Sequence, residues 1–152
     1  MEYYNKGDNM YGIIVVGHGK FAEGLLSSVD LILGKQNYAI GVTFEEDDSP
    51  EELKDKIVAE VKSMVDVDGI IFLTDLPGGT PFKTCVLLSQ DIDNSKVLTG
   101  TNLPLLIEVL MNRELNNIED IINIGLSTGK NSVMVYENRR RKQDNSSRKN
   151  GI

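Results

Sequence analysis

His18 is the one histidine of the chain, and the segment GIIVVGHGK holds it between Gly17 and Gly19, directly behind an apolar run. Neutral imidazole is a good nucleophile and titrates near physiological pH. Glycines on both sides leave an approaching partner unobstructed. The bland alternative for a loop histidine is a ring that caps a main-chain carbonyl. Two further stretches carry polar groups of suitable kinds. DLPGGTP, residues 75–81, offers the Asp75 carboxylate and a glycine turn running into a helix, and GTNLP, residues 100–104, offers Asn102 and Pro104.

A carboxylate beside His18 would accept one ring N–H, fix the tautomer and leave the other nitrogen's lone pair free to attack. Alone, an Asp after a strand is also a common helix cap, so Asp75 gains a chemical role only by standing next to His18. Gly78 and Gly79 let main-chain N–H groups converge, Thr80 adds a hydroxyl, and a helix start favours an anion. Together with Gly19 these residues form a candidate phosphate-binding set. Asn102 and Pro104 read either as cap and entry residues of the next helix or as lining of a pocket.

The elements that must position these loops alternate. Gly12–Val16, Tyr38–Phe44, Gly69–Thr74 and Lys96–Thr99 read as strands, the first near-continuously β-branched, as for a strand buried on both faces. Lys20–Leu33 has helical apolar spacing and stops at Gly34. Ser49 and Pro50 read as N-cap and first residue of a helix reaching about Val65. Further helices are expected from Thr80/Pro81 to Gln90, over Pro104–Asn112 and near Ile118–Leu126. This alternation implies a three-layer α/β/α, doubly wound, mostly parallel sheet of order about 2-1-3-4. His18 and Asp75 would then meet at the carboxyl ends of neighbouring strands, where ligands bind in such sheets. Ser132–Tyr136, SVMVY, reads as a last strand, either an antiparallel edge strand or one swapped into a partner chain.

Composition bounds the rest. The 152 residues, 40% apolar and 26% charged, suit one domain. Residues 1–10 read as a loose leader, 11–137 as the domain and 138–152 as a basic disordered tail or linker stub. The tail Arg139–Lys149 carries six Lys/Arg and one Asp, which leaves the body 10 basic and 22 acidic residues, a charge of −12. That balance argues against a nucleic-acid partner and suits docking onto basic proteins. There is neither a signal-peptide pattern nor a membrane-spanning run, so a cytoplasmic location is expected. The single Cys85 reads as a small buried apolar residue. No metal or cofactor is called for.

Taken in order, GHGKFAEGLL, FLTDLPGGTPF and GTNLPLLIE resemble the enzyme IIA component of the mannose family of the bacterial sugar phosphotransferase system. The similarity spans about residues 11–136. The resemblance implies a doubly wound sheet, a homodimer and a phosphohistidine relay. In that relay phosphoryl arrives from the phosphocarrier HPr and leaves to a IIB component, and the membrane is involved only through a IIC/IID permease. It implies His18 as phosphoryl acceptor, Asp75 as its orienting carboxylate, and Thr80 with Gly78–Gly79 as the phosphate-side loop. Leu76–Pro77 stands where some relatives carry a bulkier aromatic. Other readings are the phosphotransfer subunit of a dihydroxyacetone kinase system and a non-catalytic anion-binding regulatory module. A histidine phosphatase or mutase would place an Arg where Gly17 stands and would need a second histidine.

Overall fold

Tyr11–His18 forms β1, and its side chains alternate between two apolar layers, which is why nearly all of it is buried. The structure, a computed structural model, describes residues 9–114 and 117–140. In chain order follow α1 (Phe21–Leu33), β2 (Ala39–Phe44), α2 (Pro50–Ser63), β3 (Gly69–Thr74), α3 (Thr80–Ser89), β4 (Ser95–Leu98), α4 (Leu103–Asn112) and α5 (Ile118–Asn131). The sheet order is β2-β1-β3-β4 and every described pairing is parallel. This is the expected three-layer, doubly wound α/β architecture.

Ile13, Val15, Ile71 and Leu73 face one layer, where they pack against α1, α4 and α5 through Val29, Leu106 and Ile121 among others. Ile14, Val16, Ile70 and Phe72 face the other, against Leu53 and Ile57 of α2 and Cys85 of α3. Burial pushes the Cys85 thiol up to about 12, so it packs as an inert apolar group. At the amino end of the sheet Arg113 is buried and donates to the carbonyls of Tyr38 at 3.1 Å and Asn37 at 2.5 Å. It ties the end of α4 to the entry of β2.

The start of α2 is as the sequence suggests. Ser49 Oγ accepts from the Glu52 main-chain N–H, Glu52 Oε2 accepts from the Ser49 N–H at 2.7 Å, and Pro50 follows the cap. Ser49→Ala should destabilise the domain by about 1 kcal/mol. Urea titration of both proteins checks this, and an unshifted midpoint would contradict it.

Three boundaries differ from those read in the sequence. β1 continues through Gly17 to His18, which pairs with Phe44 of β2, so His18 is the last strand residue rather than the middle of a loop. Helix α5 runs on past Leu126 to Asn131, and Gly125 and Gly129 on it are points of close approach. A Cβ at Gly125 would lie 2.6 Å from Val109 Cγ2, and one at Gly129 would lie 2.9 Å from Leu105 Cβ. The expected strand Ser132–Tyr136 is not formed within the chain's own sheet: Ser132 caps α5, and residues 133–138 have no regular structure. Among the described residues β2 and β4 are the edges of the sheet, and the 133–138 segment pairs with neither. Met10 is buried and its N–H donates to Asp68 Oδ2 at 2.6 Å. The rest of the leader, except Asn9, and the tail beyond Arg140 lie outside the described residues.

Candidate functional site

The strand order reverses between β1 and β3, with β2 to one side and β4 to the other. Such switch points open a crevice at the carboxyl ends of the strands. Val16 is opposite Thr74 in the ladder, so Asp75, the next residue, comes alongside His18 although they are 57 positions apart.

Asp75 is held on three sides. Its Oδ2 accepts from the His18 main-chain N–H at 2.9 Å and lies 2.7 Å from His18 Nδ1, while Oδ1 accepts from the Leu76 N–H at 2.9 Å. Burial alone would raise the Asp75 carboxyl, but the His18 N–H, the His18 ring and the Leu76 N–H outweigh it and hold the group below its ordinary value. An ionised carboxylate only accepts, so Nδ1 carries a proton, and in the neutral ring it is Nε2 that keeps its lone pair. Among the described residues none hydrogen-bonds Nε2. The His18 side chain is 47% exposed and that of Asp75 9%. The carboxylate is therefore set into the fold while the ring it orients remains reachable.

The surroundings of the ring are apolar or glycine. Phe44 meets it edge-on, with centroids 5.6 Å apart and planes at 73°. A Cβ at Gly79 would stand 3.2 Å from His18 Cε1, so the Gly79 backbone lies close to the ring precisely because it has no side chain. Gly78 turns the chain with φ 78°, and Gly19 leaves the strand with φ 53° while its N–H donates to the Phe44 carbonyl at 2.9 Å. Gly79 is the N-cap of α3 and brings no side chain to it, and Thr80 and Pro81 open the helix. The first N–H groups of a helix have no intrahelical partner, and here they begin beside the histidine. Leu76, half exposed, forms an apolar rim next to Gly79.

Asn102 and Pro104 stand at the neighbouring helix start. Asn102 Oδ1 accepts from the Leu105 N–H at 3.1 Å and its Nδ2 donates to the Gly129 carbonyl at 3.0 Å, so its amide is occupied in capping α4 and fastening α5. Pro104 sits in the first turn of α4. Phe44 is the site residue that sequence reasoning missed. It ends the second strand in the sequence pattern, and only the His18–Phe44 register places it on the ring.

Among the described residues no group of three His, Cys, Asp or Glu could hold a metal ion, and no helix is long and apolar enough to cross a membrane. The arrangement can therefore present one imidazole nitrogen, backed by an ionised carboxylate, to a group brought from outside.

Known proteins share this plan. The profile of the family described as PTS system fructose IIA component matches residues 12–124. The PTS system fructose-specific EIIA component of Bacillus subtilis is 32% identical over 114 residues, which is 75% of this chain and 78% of that protein. The PTS system mannose-specific EIIAB component of Escherichia coli is 31% identical over 126 residues, and the chain spans only 39% of that relative's length. The crystal structure of phosphotransferase system component EIIA from Streptococcus agalactiae is similar with a TM-score of 0.75 at 34% identity, over 83% of this chain and 97% of that one.

Proposed function

The chain belongs to the family of PTS fructose IIA components, which makes it an EIIA-type component of a sugar phosphotransferase system, and we propose that His18 is its phosphoryl carrier. The Nε2 lone pair of His18 attacks the phosphorus of the phosphorylated donor, HPr. The bond from phosphorus to the donor breaks, its electron pair stays with the donor, and a P–N bond to His18 forms. The ring becomes cationic while Nδ1–H remains on Asp75, whose negative charge stabilises it. The reverse sequence passes the group to a IIB component during sugar uptake in the cytoplasm, with the membrane reached only through the permease.

The observation that carries this reading is the 2.7 Å contact between His18 Nδ1 and Asp75 Oδ2 at the switch point. It orients a nucleophile and supplies no second acid–base group to activate water, which suits a group that must be stored and handed on rather than hydrolysed. Gly19, Gly78 and Gly79 leave room for phosphoryl oxygens, and the open start of α3 at Thr80 favours their charge. Half-exposure of the ring suits a protein donor. The experiment is incubation with phosphoenolpyruvate, enzyme I and HPr, read by intact mass. Gain of one acid-labile, base-stable phosphoryl group supports the relay, and an unmodified chain contradicts it.

The same reading includes a homodimer. Val133, Met134, Val135 and Tyr136 are between 76% and 86% exposed, an apolar run with no strand partner among the described residues. Added to the sheet edge of a second copy, it would cover that edge and bury itself. Light scattering at micromolar concentration should give about twice the 16.8 kDa chain mass, and truncation after Ser132, which leaves α5 and its cap whole, should dissociate or aggregate the protein. A clean monomer for the full chain would contradict this.

A further inference from the structure

We infer that Phe44 is a positioning residue for His18: its ring, fixed by the turn between β2 and α2, packs edge-to-face with the imidazole and holds it in the orientation that keeps Nδ1–H hydrogen-bonded to Asp75. The hydrogen bond to Asp75 fixes one ring atom but tolerates tilt, because hydrogen-bond angles are broad. A second contact is needed to set the plane. Phe44 supplies it at 5.6 Å and 73°, an edge-to-face geometry that aromatic pairs favour. Gly79, close to Cε1, limits the ring from another side.

Phe44 is itself held firmly. It packs against the layer containing Val16 and Val42, its carbonyl accepts from the Gly19 N–H at 2.9 Å, and its backbone is in register with His18. The turn behind it is locked by Asp48. That carboxylate accepts from the Glu45 N–H at 2.8 Å and from Lys56 Nζ at 2.6 Å, and Lys56 also donates to the Thr43 carbonyl at 3.3 Å. The hydrogen bond and charge of Lys56, with the Glu45 N–H, hold Asp48 below its ordinary value, so the lock is ionised at neutral pH. The residues on both sides of Phe44 are thus pinned, and the side chain between them projects onto the histidine.

The inference rests on the phosphocarrier reading only for its rate readout, because the tautomer that this orientation favours can be observed directly. With one histidine in the chain, long-range ¹H–¹⁵N spectra report Nδ1 and Nε2 without overlap. In the wild type the two shifts should be widely split, as for a single tautomer. Phe44→Leu keeps apolar bulk against the core but loses the ring edge. It should bring the two shifts together and slow phosphoryl uptake from HPr by about three- to tenfold, the scale of one aromatic pair. Phe44→Tyr should restore both. A wild-type splitting in Phe44→Leu, or a Phe44→Tyr variant as impaired as Phe44→Leu, would overturn the inference. If the wild type takes up no phosphoryl group, the carrier reading fails and the ¹⁵N comparison alone decides the role of Phe44.

Discussion

Asp75→Asn should slow phosphoryl uptake from HPr by on the order of ten- to a hundredfold while the fold persists. The amide can still face the ring as a hydrogen-bond acceptor, but it brings no negative charge to the imidazolium that forms as Nε2 bonds to phosphorus. A hydrogen bond to a charged partner contributes roughly 1.5–3 kcal/mol, which converts to that range of rates. Rapid-quench kinetics with phosphorylated HPr measures it, and circular dichroism verifies the fold. An unchanged rate would reduce Asp75 to a structural cap for the His18 and Leu76 N–H groups. The same variant has a second signature. The Asp75 carboxyl is held below the ordinary carboxylate value, so the folded state binds its proton more weakly than the unfolded state does. Its contribution to stability is in full force above that value and is lost as pH falls through the lower, folded one. Asp75→Asn should therefore flatten the acid limb of the stability profile below about pH 4.

His18→Ala should abolish phosphoryl uptake altogether. No other imidazole exists to take over, and neither Thr80 nor Cys85 can substitute. A threonine hydroxyl is a weak nucleophile at neutral pH, and Cys85 is buried with its thiol pushed up to about 12. The fold should persist, because the His18 side chain is 47% exposed and no core residue loses its packing. Removal of the ring leaves Asp75 with its two main-chain donors. Intact mass after the complete phosphorylation mixture is the measurement, and a variant that still gains one phosphate would place the carrier elsewhere.

The sheet order and the meeting of His18 with Asp75 were legible because both follow from pattern. Two buried apolar runs, each ended by a polar residue, become neighbours in any doubly wound sheet of order 2-1-3-4, and the carboxyl ends then coincide. The cap at Ser49–Pro50 was legible for the same reason, being local chemistry. What was hidden depended on tertiary register or on the environment of a glycine. Phe44 looks like an ordinary strand residue until His18 is seen to extend β1 and pair with it. Gly125 and Gly129 look like breakers until Val109 and Leu105 are seen to need the space. SVMVY has the composition of a strand, and composition cannot say whether the strand finds its partner within its own chain. Arg113 was equally hidden, since the carbonyls that receive it belong to residues 37 and 38, at the other end of the sequence.

The central claim is that Nε2 of His18, turned outward by Asp75, carries the phosphoryl group. The most direct test is ¹⁵N and ³¹P NMR of the wild-type protein before and after phosphorylation by phosphoenolpyruvate, enzyme I and HPr. The expected result is a ³¹P resonance correlated through the new P–N bond with His18 Nε2, while Nδ1 keeps its proton and its hydrogen-bonded shift. A phosphoryl group found on Nδ1, or on any residue other than His18, would contradict it.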